Sequence, residues 1–262
     1  MTRPLWHWSC AAAMVLAVAF GAEAGEIPAN ERRSDYALMG PELRGMQEDD
    51  SANPGMLWVL DGEVLWRRKD GSTGRACADC HGEAAHSMRG VAARYPAFDQ
   101  TLGRPIDLEG RINACRTKHQ RAEPFTFESR ELLSLAAYVA RQSKGLPISA
   151  DDDPATLPFV AAGRAIFEQR QGQLNLSCAQ CHDDNWGQKL GGATIPQAHP
   201  TGYPLYRLEW QSLGSLQRRL RNCLIGMRAA LYDYDALQLV ELELFLAVRA
   251  RGLALETPAV RP

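Results

Sequence analysis

The sequence lacks the features that would indicate a membrane span or a nucleic-acid partner. No apolar run in its 262 residues approaches the roughly 20 residues that a helix needs to cross a bilayer. Acidic and basic residues nearly balance, with a net charge of −2, so no positive excess indicates binding to nucleic acid. The length suffices for a substantial core, or for two domains of about 100 residues each.

The N-terminus has the pattern of an export signal. Arg3 gives a short positive region, residues 10–20 are almost wholly apolar, and residues 22–24 form an A-x-A cleavage site. We therefore predict a signal peptide over residues 1–24 and export to a bacterial periplasm. Cys10 leaves with the signal, so six of the seven cysteines remain in an oxidising compartment, where disulfides are common.

Four of these six cysteines lie in two C-x-x-C-H motifs, at residues 77–81 and 178–182. This spacing is typical of c-type haem attachment, in which two thioether bonds fix the macrocycle and the adjacent histidine reaches the iron. A redox pair would not need the histidine, and a zinc site would need all its ligands in one cluster. The motifs predict two covalently bound haem c groups, attached through Cys77, Cys80, Cys178 and Cys181, with His81 and His182 as iron ligands.

The chain repeats one order of features. The features shared by both copies are a glycine four residues before an aromatic residue, the C-x-x-C-H motif, a Tyr-Pro pair, Arg-x-x-x-Cys and a final helix. From the Tyr-Pro pair to the cysteine, the copies are offset by 108 residues: Tyr95, Arg111 and Cys115 recur as Tyr203, Arg219 and Cys223. Such a repeat indicates two copies of one domain.

The repeat and the haem motifs together predict a mainly α fold. We expect two tandem class I cytochrome c-like domains, over residues 56–150 and 151–262, each around one covalently attached haem. An N-terminal extension over residues 25–55 precedes them, and the acidic run at residues 151–154 is the predicted linker. Helices are expected over about residues 129–142 and 235–249, where apolar residues recur with helical spacing.

The two cysteines outside the motifs occupy matching positions in the two copies. Thiolate is an established haem ligand, so the repeat favours Cys115 and Cys223 as the second iron ligands. A disulfide between these two cysteines is the alternative that an oxidising compartment favours by default. Other nominal ligands have no counterpart in the opposite copy; they are Met88, Met227, His86, His119 and His199.

Cys223 lies among four arginines in the stretch 216–228. A thiol among fixed cations loses its proton more easily, and guanidinium groups bind small oxyanions through forked hydrogen bonds. Arg219 precedes Cys223 by four residues, so the two share one face of a helix. The other three arginines either widen this positive pocket or are simply solvated; they are Arg218, Arg221 and Arg228.

These residues resemble those of the SoxA family, the c-type cytochrome subunits of the thiosulfate-oxidising Sox enzymes. The resemblance rests on both C-x-x-C-H motifs, on Arg219-x-x-x-Cys223, and on residues 46–50 and 53–58 ahead of the first motif. It covers essentially the whole mature chain. Some members lack the first haem motif, so this chain resembles the dihaem type.

The resemblance implies an L-cysteine S-thiosulfotransferase that joins thiosulfate oxidatively to a cysteine of the carrier protein SoxYZ. Two electrons would leave through haem to a cytochrome c, and the partner subunit would be a smaller monohaem cytochrome, SoxX. Cys223 would be the catalytic residue, a persulfide that also ligates the second haem, and Arg219 would bind substrate. The resemblance likewise implies His81 and Cys115 on the first iron, and His182 and Cys223 on the second.

Two other functions fit a dihaem chain. One is an electron carrier whose haems only relay electrons, with no sulfur chemistry of its own. The other is a dihaem peroxidase, which would need a displaceable iron ligand and a distal acid or base, and nothing in the sequence picks out such a group.

Overall fold

A computed structural model describes residues 27–150 and 153–262. The predicted signal peptide and part of the predicted acidic linker lie outside the described residues. The described chain is mainly helical, as expected, and its helices follow the repeat. No helix in the described ranges is both long enough and apolar enough to cross a bilayer.

The first half contains six helices and one hairpin among its described residues. They are α1 (Pro41–Glu48), α2 (Met56–Arg67), α3 (Cys77–His81), α4 (Ala84–Ser87), β1 (Ala97–Asp99), β2 (Arg104–Ile106), α5 (Leu108–Cys115) and α6 (Arg130–Arg141). A π-helical turn, Arg116–Gln120, continues α5.

The described part of the second half repeats this order from α2 onward, with a short hairpin where the first half has α4, and with an added strand at its end. Its elements are α7 (Leu157–Glu168), α8 (Cys178–His182), β3 (Lys189–Leu190), β4 (Ala193–Thr194), β5 (Leu205–Arg207), β6 (Ser212–Gly214), α9 (Leu216–Gly226), α10 (Leu237–Arg249) and β7 (Val260–Arg261). The predicted helices at 129–142 and 235–249 are confirmed as α6 and α10, within two residues at each end.

Each half is built on one close crossing of two helices, α2 with α6 and α7 with α10. A Cβ atom at Gly62 would overlap the backbone carbonyl of Ser134, and one at Gly163 would overlap that of Glu241. Only glycine lets the backbones approach so closely. One turn later an aromatic ring fills the same crossing: the ring centroid of Trp66 lies 6.0 Å from that of Tyr138 in the first half.

The hairpins of the two halves have the same register. β1 pairs antiparallel with β2, with Asp99 opposite Arg104, and β5 pairs antiparallel with β6, with Arg207 opposite Ser212. In the second half β7 adds a third strand parallel to β5. Asp99 and Arg207 are therefore equivalent positions, each at the end of the first strand of its hairpin.

The segment before α2 packs against the second half. Arg33 N donates to Gln197 Oε1 at 2.7 Å, and Asn53 Nδ2 donates to Pro258 O at 2.9 Å. The described part of the predicted N-terminal extension, residues 27–55, therefore packs against the half that contains the second haem motif. The halves also share a core, since Trp58 of α2 meets Tyr206 of β5 edge-to-face at 5.9 Å between ring centroids.

Candidate functional site

The second C-x-x-C-H motif forms the one-turn helix α8, which a reciprocal cap fixes in place. Ser177 Oγ accepts from Gln180 N at 3.2 Å, and Gln180 Oε1 accepts from Ser177 N at 2.9 Å. This capping box satisfies two backbone donors that would otherwise be unpaired at the helix start. The turn therefore presents Cys178, Cys181 and His182 in a fixed arrangement.

His182 is oriented for metal binding through Nε2. Its Nδ1 lies 2.7 Å from the carbonyl oxygen of Pro196. A carbonyl only accepts hydrogen bonds, so Nδ1 carries the proton and Nε2 has its lone pair available. Burial lowers the pKa of His182 to about 4, so the ring is neutral at pH 7.

Helix α9 carries Arg219 and Cys223, which line the same cavity as His182. The helix begins at an N-cap serine, because Ser215 Oγ accepts from Arg218 N at 3.1 Å. Arg219 and Cys223 line a cavity of about 320 Å³ together with His182. The structure therefore brings three of the five predicted site residues of the second half to one cavity.

The cavity has an apolar part and a positively charged part. Its apolar side chains include Leu38, Leu43, Leu220 and Leu246. Burial opposes the charge of Arg219, but the neighbouring Cys223, Tyr203 and Asp35 raise its pKa, so the guanidinium stays charged. Burial, and then the nearby Cys223, raise the pKa values of the Cys178 and Cys181 thiols, which shows how close these sulfurs are to Cys223.

In the first half, Cys115 and the first motif are also neighbours. Burial and then Cys115 raise the pKa of the Cys77 thiol. His81 is exposed, with its ring 5.7 Å from that of Trp66, whose Nε1 donates to Gly82 O at 3.0 Å. This half therefore has the same predicted set of side chains on a more open surface.

All six cysteines in the described part of the chain are free, so no disulfide joins Cys115 and Cys223. Each of the two lies at the motif of its own half instead. The disulfide alternative is therefore wrong for this structure, whereas the proximity expected of iron ligands is present in both halves.

The donor set of the second half fits a covalently attached haem c. Two thiols lie next to a histidine whose Nε2 is available, a third thiol lines the cavity, and leucine side chains supply an apolar wall. Of the alternative ligands, His199 also lines the cavity, and its Nε2 is buried without a hydrogen-bond partner among the described residues. Its Nδ1 lies 2.7 Å from Arg33 O. The other nominal ligands do not line this cavity; they are Met88, Met227, His86 and His119.

Three further arginines on or after α9 do not line the cavity. Arg218 stacks over the Trp210 ring at 4.3 Å from its centroid, and Arg221 lies 4.5 Å from the centroid of Tyr234. Arg228 is exposed and has a left-handed backbone with φ of 55°. The positive wall comes instead from residues that the sequence analysis did not single out for charge.

Those residues are Lys189, Arg207 and Arg261, which line the cavity with Arg219, beside Asp35 and Tyr203. Arg207 carries a signal that the sequence contains. The offset of 108 residues that aligns Tyr95 with Tyr203 also aligns Asp99 with Arg207. Asp35 and Arg261 lie at opposite ends of the described chain, so no local pattern could place them together.

Comparisons with known proteins agree with this arrangement. A family model described as SoxA/TsdA, cytochrome c domain, matches residues 61–148 and 162–255. It therefore covers both halves, and a domain of this type carries covalently bound haem c.

The chain is 37% identical to the L-cysteine S-thiosulfotransferase subunit SoxA of Pseudaminobacter salicylatoxidans, over 89% of this chain and 82% of the relative. It is 34% identical to the subunit of the same name from Rhodovulum sulfidophilum, over 88% of this chain and 81% of the relative. The crystal structure of SoxXA from P. pantotrophus superposes with a TM-score of 0.85 at 30% identity, covering 88% of this chain and 87% of that one.

Proposed function

The chain belongs to the SoxA/TsdA cytochrome c family, and from that premise we propose that it is the SoxA-type subunit of an L-cysteine S-thiosulfotransferase. Its substrates are thiosulfate and a cysteine of the carrier protein SoxYZ. The observation that carries the proposal is the cavity of the second half, which Cys223, the positively charged Arg219 and His182 line together.

Cys223 is the residue to which we assign the sulfur chemistry. A sulfur atom is a good nucleophile and can carry a second sulfur as a persulfide or a thiosulfonate. Arg219 is one helical turn away, and thiosulfate, as a dianion, needs a cation beside the reacting sulfur to offset charge repulsion. Arg219 therefore binds and orients the substrate, and Cys223 reacts with it.

The overall reaction couples a carrier thiol with thiosulfate to give a carrier S-thiosulfonate, two electrons and one proton. Haem c supplies the electron acceptor when it is bound. In our proposal the chain holds two such groups. The first is attached through Cys77 and Cys80, with His81 and Cys115 on its iron, and the second is attached through Cys178 and Cys181, with His182 and Cys223 on its iron.

The remaining components of the proposal concern partners and location. The similarity to the chain in the SoxXA crystal structure supports a heterodimer with a monohaem cytochrome, SoxX. A soluble cytochrome c would take the electrons onward. The N-terminal sequence supports export to the periplasm, where thiosulfate oxidation of this type would take place.

A test compares Cys223→Ala and Arg219→Ala with the wild-type chain, each co-expressed with the monohaem partner. We expect Cys223→Ala to abolish thiosulfate-dependent turnover with SoxYZ, while mass spectrometry still shows both haem groups attached. Intact mass of the wild-type chain should show one added sulfur atom if Cys223 rests as a persulfide. An electron carrier without sulfur chemistry would instead keep its activity in Arg219→Ala, and normal turnover by Cys223→Ala would refute the proposal.

A further inference from the structure

In the first half, the arginine of the Arg-x-x-x-Cys element has its charge neutralised by a neighbouring aspartate. Arg111 Nη2 lies 2.6 Å from Asp99 Oδ2, and the Asp99 side chain is only 10% exposed. Arg111 Nε also donates to Tyr95 Oη at 3.2 Å. The guanidinium that precedes Cys115 is thus neutralised and hydrogen-bonded within the protein.

The second half has the same three positions, and one of them has the opposite charge. Tyr203, Arg207 and Arg219 stand where Tyr95, Asp99 and Arg111 stand, each 108 residues later. The equivalence holds in three dimensions, because β1 and β5 have the same hairpin register and α5 and α9 both end at or just after the spare cysteine. An arginine–aspartate pair has become an arginine–arginine pair.

Arg207 lacks the short contact with a buried carboxylate that Arg111 has. Its side chain is 13% exposed, and the Glu209 carboxylate, 3.8 Å from its Nε, is itself 65% exposed. The buried Nε has no hydrogen-bond partner in the described part of the chain. Burial, and then the neighbouring Arg219, lower the pKa of Arg207, as expected when two like charges share a space of low dielectric.

The cavity is lined by three other charged side chains, the basic Lys189 and Arg261 and the acidic Asp35. Asp35 lies 3.9 Å from Arg261 Nε; burial raises its pKa, against the opposing effect of Arg261, Arg219 and Arg207. Arg261 also forms an ion pair with Glu256. The Asp35 carboxyl group thus faces Arg207, Arg219 and Arg261 together. Buried positive charge in excess of its counter-charge is costly unless an anion lies beside it.

We propose that the guanidinium groups of Arg207 and Arg219 together bind one doubly charged sulfur oxyanion, the substrate thiosulfate. We call this pair the two-guanidinium clamp. The inference rests on the proposed function and extends it by adding Arg207 as a substrate-binding residue. Two positive charges match the two negative charges of thiosulfate, and two planar forks offer paired donors to its oxygens. The change from Asp99 to Arg207 also explains why the first half has no such site, although it keeps Arg111 and Cys115.

The carboxylates of a bound haem are an alternative source of negative charge, and the variants distinguish it. Arg207→Gln removes the charge, Arg207→Lys keeps it without the fork, and Arg207→Asp rebuilds the arrangement of the first half. Arg228→Gln is the matched control, since it removes one exposed arginine of the same half outside the cavity.

The experiment uses the haem-loaded chain with its monohaem partner and measures two quantities. Calorimetric titration gives the dissociation constants of thiosulfate and sulfate without turnover, and the carrier assay gives KM and kcat. We expect Arg207→Gln to weaken thiosulfate binding about 10- to 100-fold, the range of a lost charged hydrogen bond. The thiosulfate dissociation constant of Arg207→Lys should lie between those of wild type and Arg207→Gln, and that of Arg228→Gln should match wild type within about twofold. Arg207→Asp should lose the most binding. It should keep its thermal stability, because the new carboxylate pairs with Arg219.

Three outcomes would overturn the clamp. One is a wild-type protein that binds neither anion, and another is Arg207→Gln binding thiosulfate within twofold of wild type. The third is a shifted reduction potential of the haem in Arg207→Gln with unchanged thiosulfate affinity, which would assign the arginines to the haem carboxylates. If wild type binds thiosulfate through Arg207 but shows no transfer to the carrier, the clamp holds and the proposed function fails.

Discussion

Three carboxyl groups meet where the two halves pack together, and they give the protein a predictable pH dependence. Asp107 caps α5, Glu109 lies in its first turn, and Glu243 lies in α10; all three line a cavity of about 80 Å³. Burial raises the pKa of Asp107 to about 6 and that of Glu109 to about 8, and it raises the pKa of Glu243 well above its ordinary range. Gln217 donates to Asp107 at 2.7 Å.

The unfolded chain ionises these groups near pH 4, whereas the folded chain keeps their protons to higher pH. Between about pH 4 and pH 8 the unfolded state therefore binds fewer protons, and the cluster lowers the free energy of unfolding as pH rises. For Asp107 alone, a change from 3.8 to about 6 corresponds to about 3 kcal/mol. The folded state has its full stability from this cluster only below about pH 4.

The variant Glu243→Gln tests this, because an amide keeps the acceptor for Gln217 and removes one ionisable group. Below pH 4 we expect the variant and wild type to have equal free energies of unfolding. By pH 8 the variant should be more stable by roughly 1–3 kcal/mol, since it avoids burying one charge. Urea unfolding followed by circular dichroism, at intervals from pH 3 to pH 9, gives this difference directly.

The difference between the two proteins isolates the cluster from other titrating groups. The buried His182 and His199 have lowered pKa values and titrate alike in both proteins. Glu63→Gln is a control on the exposed face of α2, where the change should stay within about 0.5 kcal/mol at every pH. The reasoning would be refuted if the difference in free energy of unfolding between Glu243→Gln and wild type did not vary with pH. It would also be refuted if wild type became more stable relative to the variant above pH 6.

Three further substitutions test the scaffold. Gly163→Ala places a Cβ against the backbone of α10 and should cost about 1–3 kcal/mol or more in denaturant unfolding; a cost below 0.5 kcal/mol would contradict the close crossing. Asp99→Asn leaves Arg111 without its ion-pair partner and should lower stability by about 1–3 kcal/mol, with the thiosulfate KM unchanged as the internal check. Gln47→Ala removes an acceptor from buried Arg261 and should lower the midpoint of urea unfolding, which an unaltered midpoint would disprove.

Local patterns of the sequence predicted much of this structure, and long-range packing accounts for the rest. The C-x-x-C-H motifs, the paired glycine and aromatic residues, and the helices α6 and α10 could be predicted because each depends on residues close in sequence. The packing of Asn53 against Pro258 could not, since it joins residues far apart in the chain. The stretch 216–228 predicted the position of Arg219 because its spacing from Cys223 is local. The directions of Arg218 and Arg221 depend instead on the rings of Trp210 and Tyr234, which lie outside that stretch.

The two halves show how one structural element can serve either stability or binding. In the first half Asp99 forms an ion pair with the arginine of the Arg-x-x-x-Cys element, so the charge of Arg111 is neutralised within the protein. In the second half Arg207 replaces that carboxylate, and the same geometry leaves positive charge directed into a cavity beside a thiol. The helix crossings that hold the fold are the same in both halves, so this change at a single strand end leaves them intact. In our proposal, the site of reaction is therefore determined less by the haem motif, which is duplicated, than by whether the arginine before the cysteine already has a carboxylate partner within the protein.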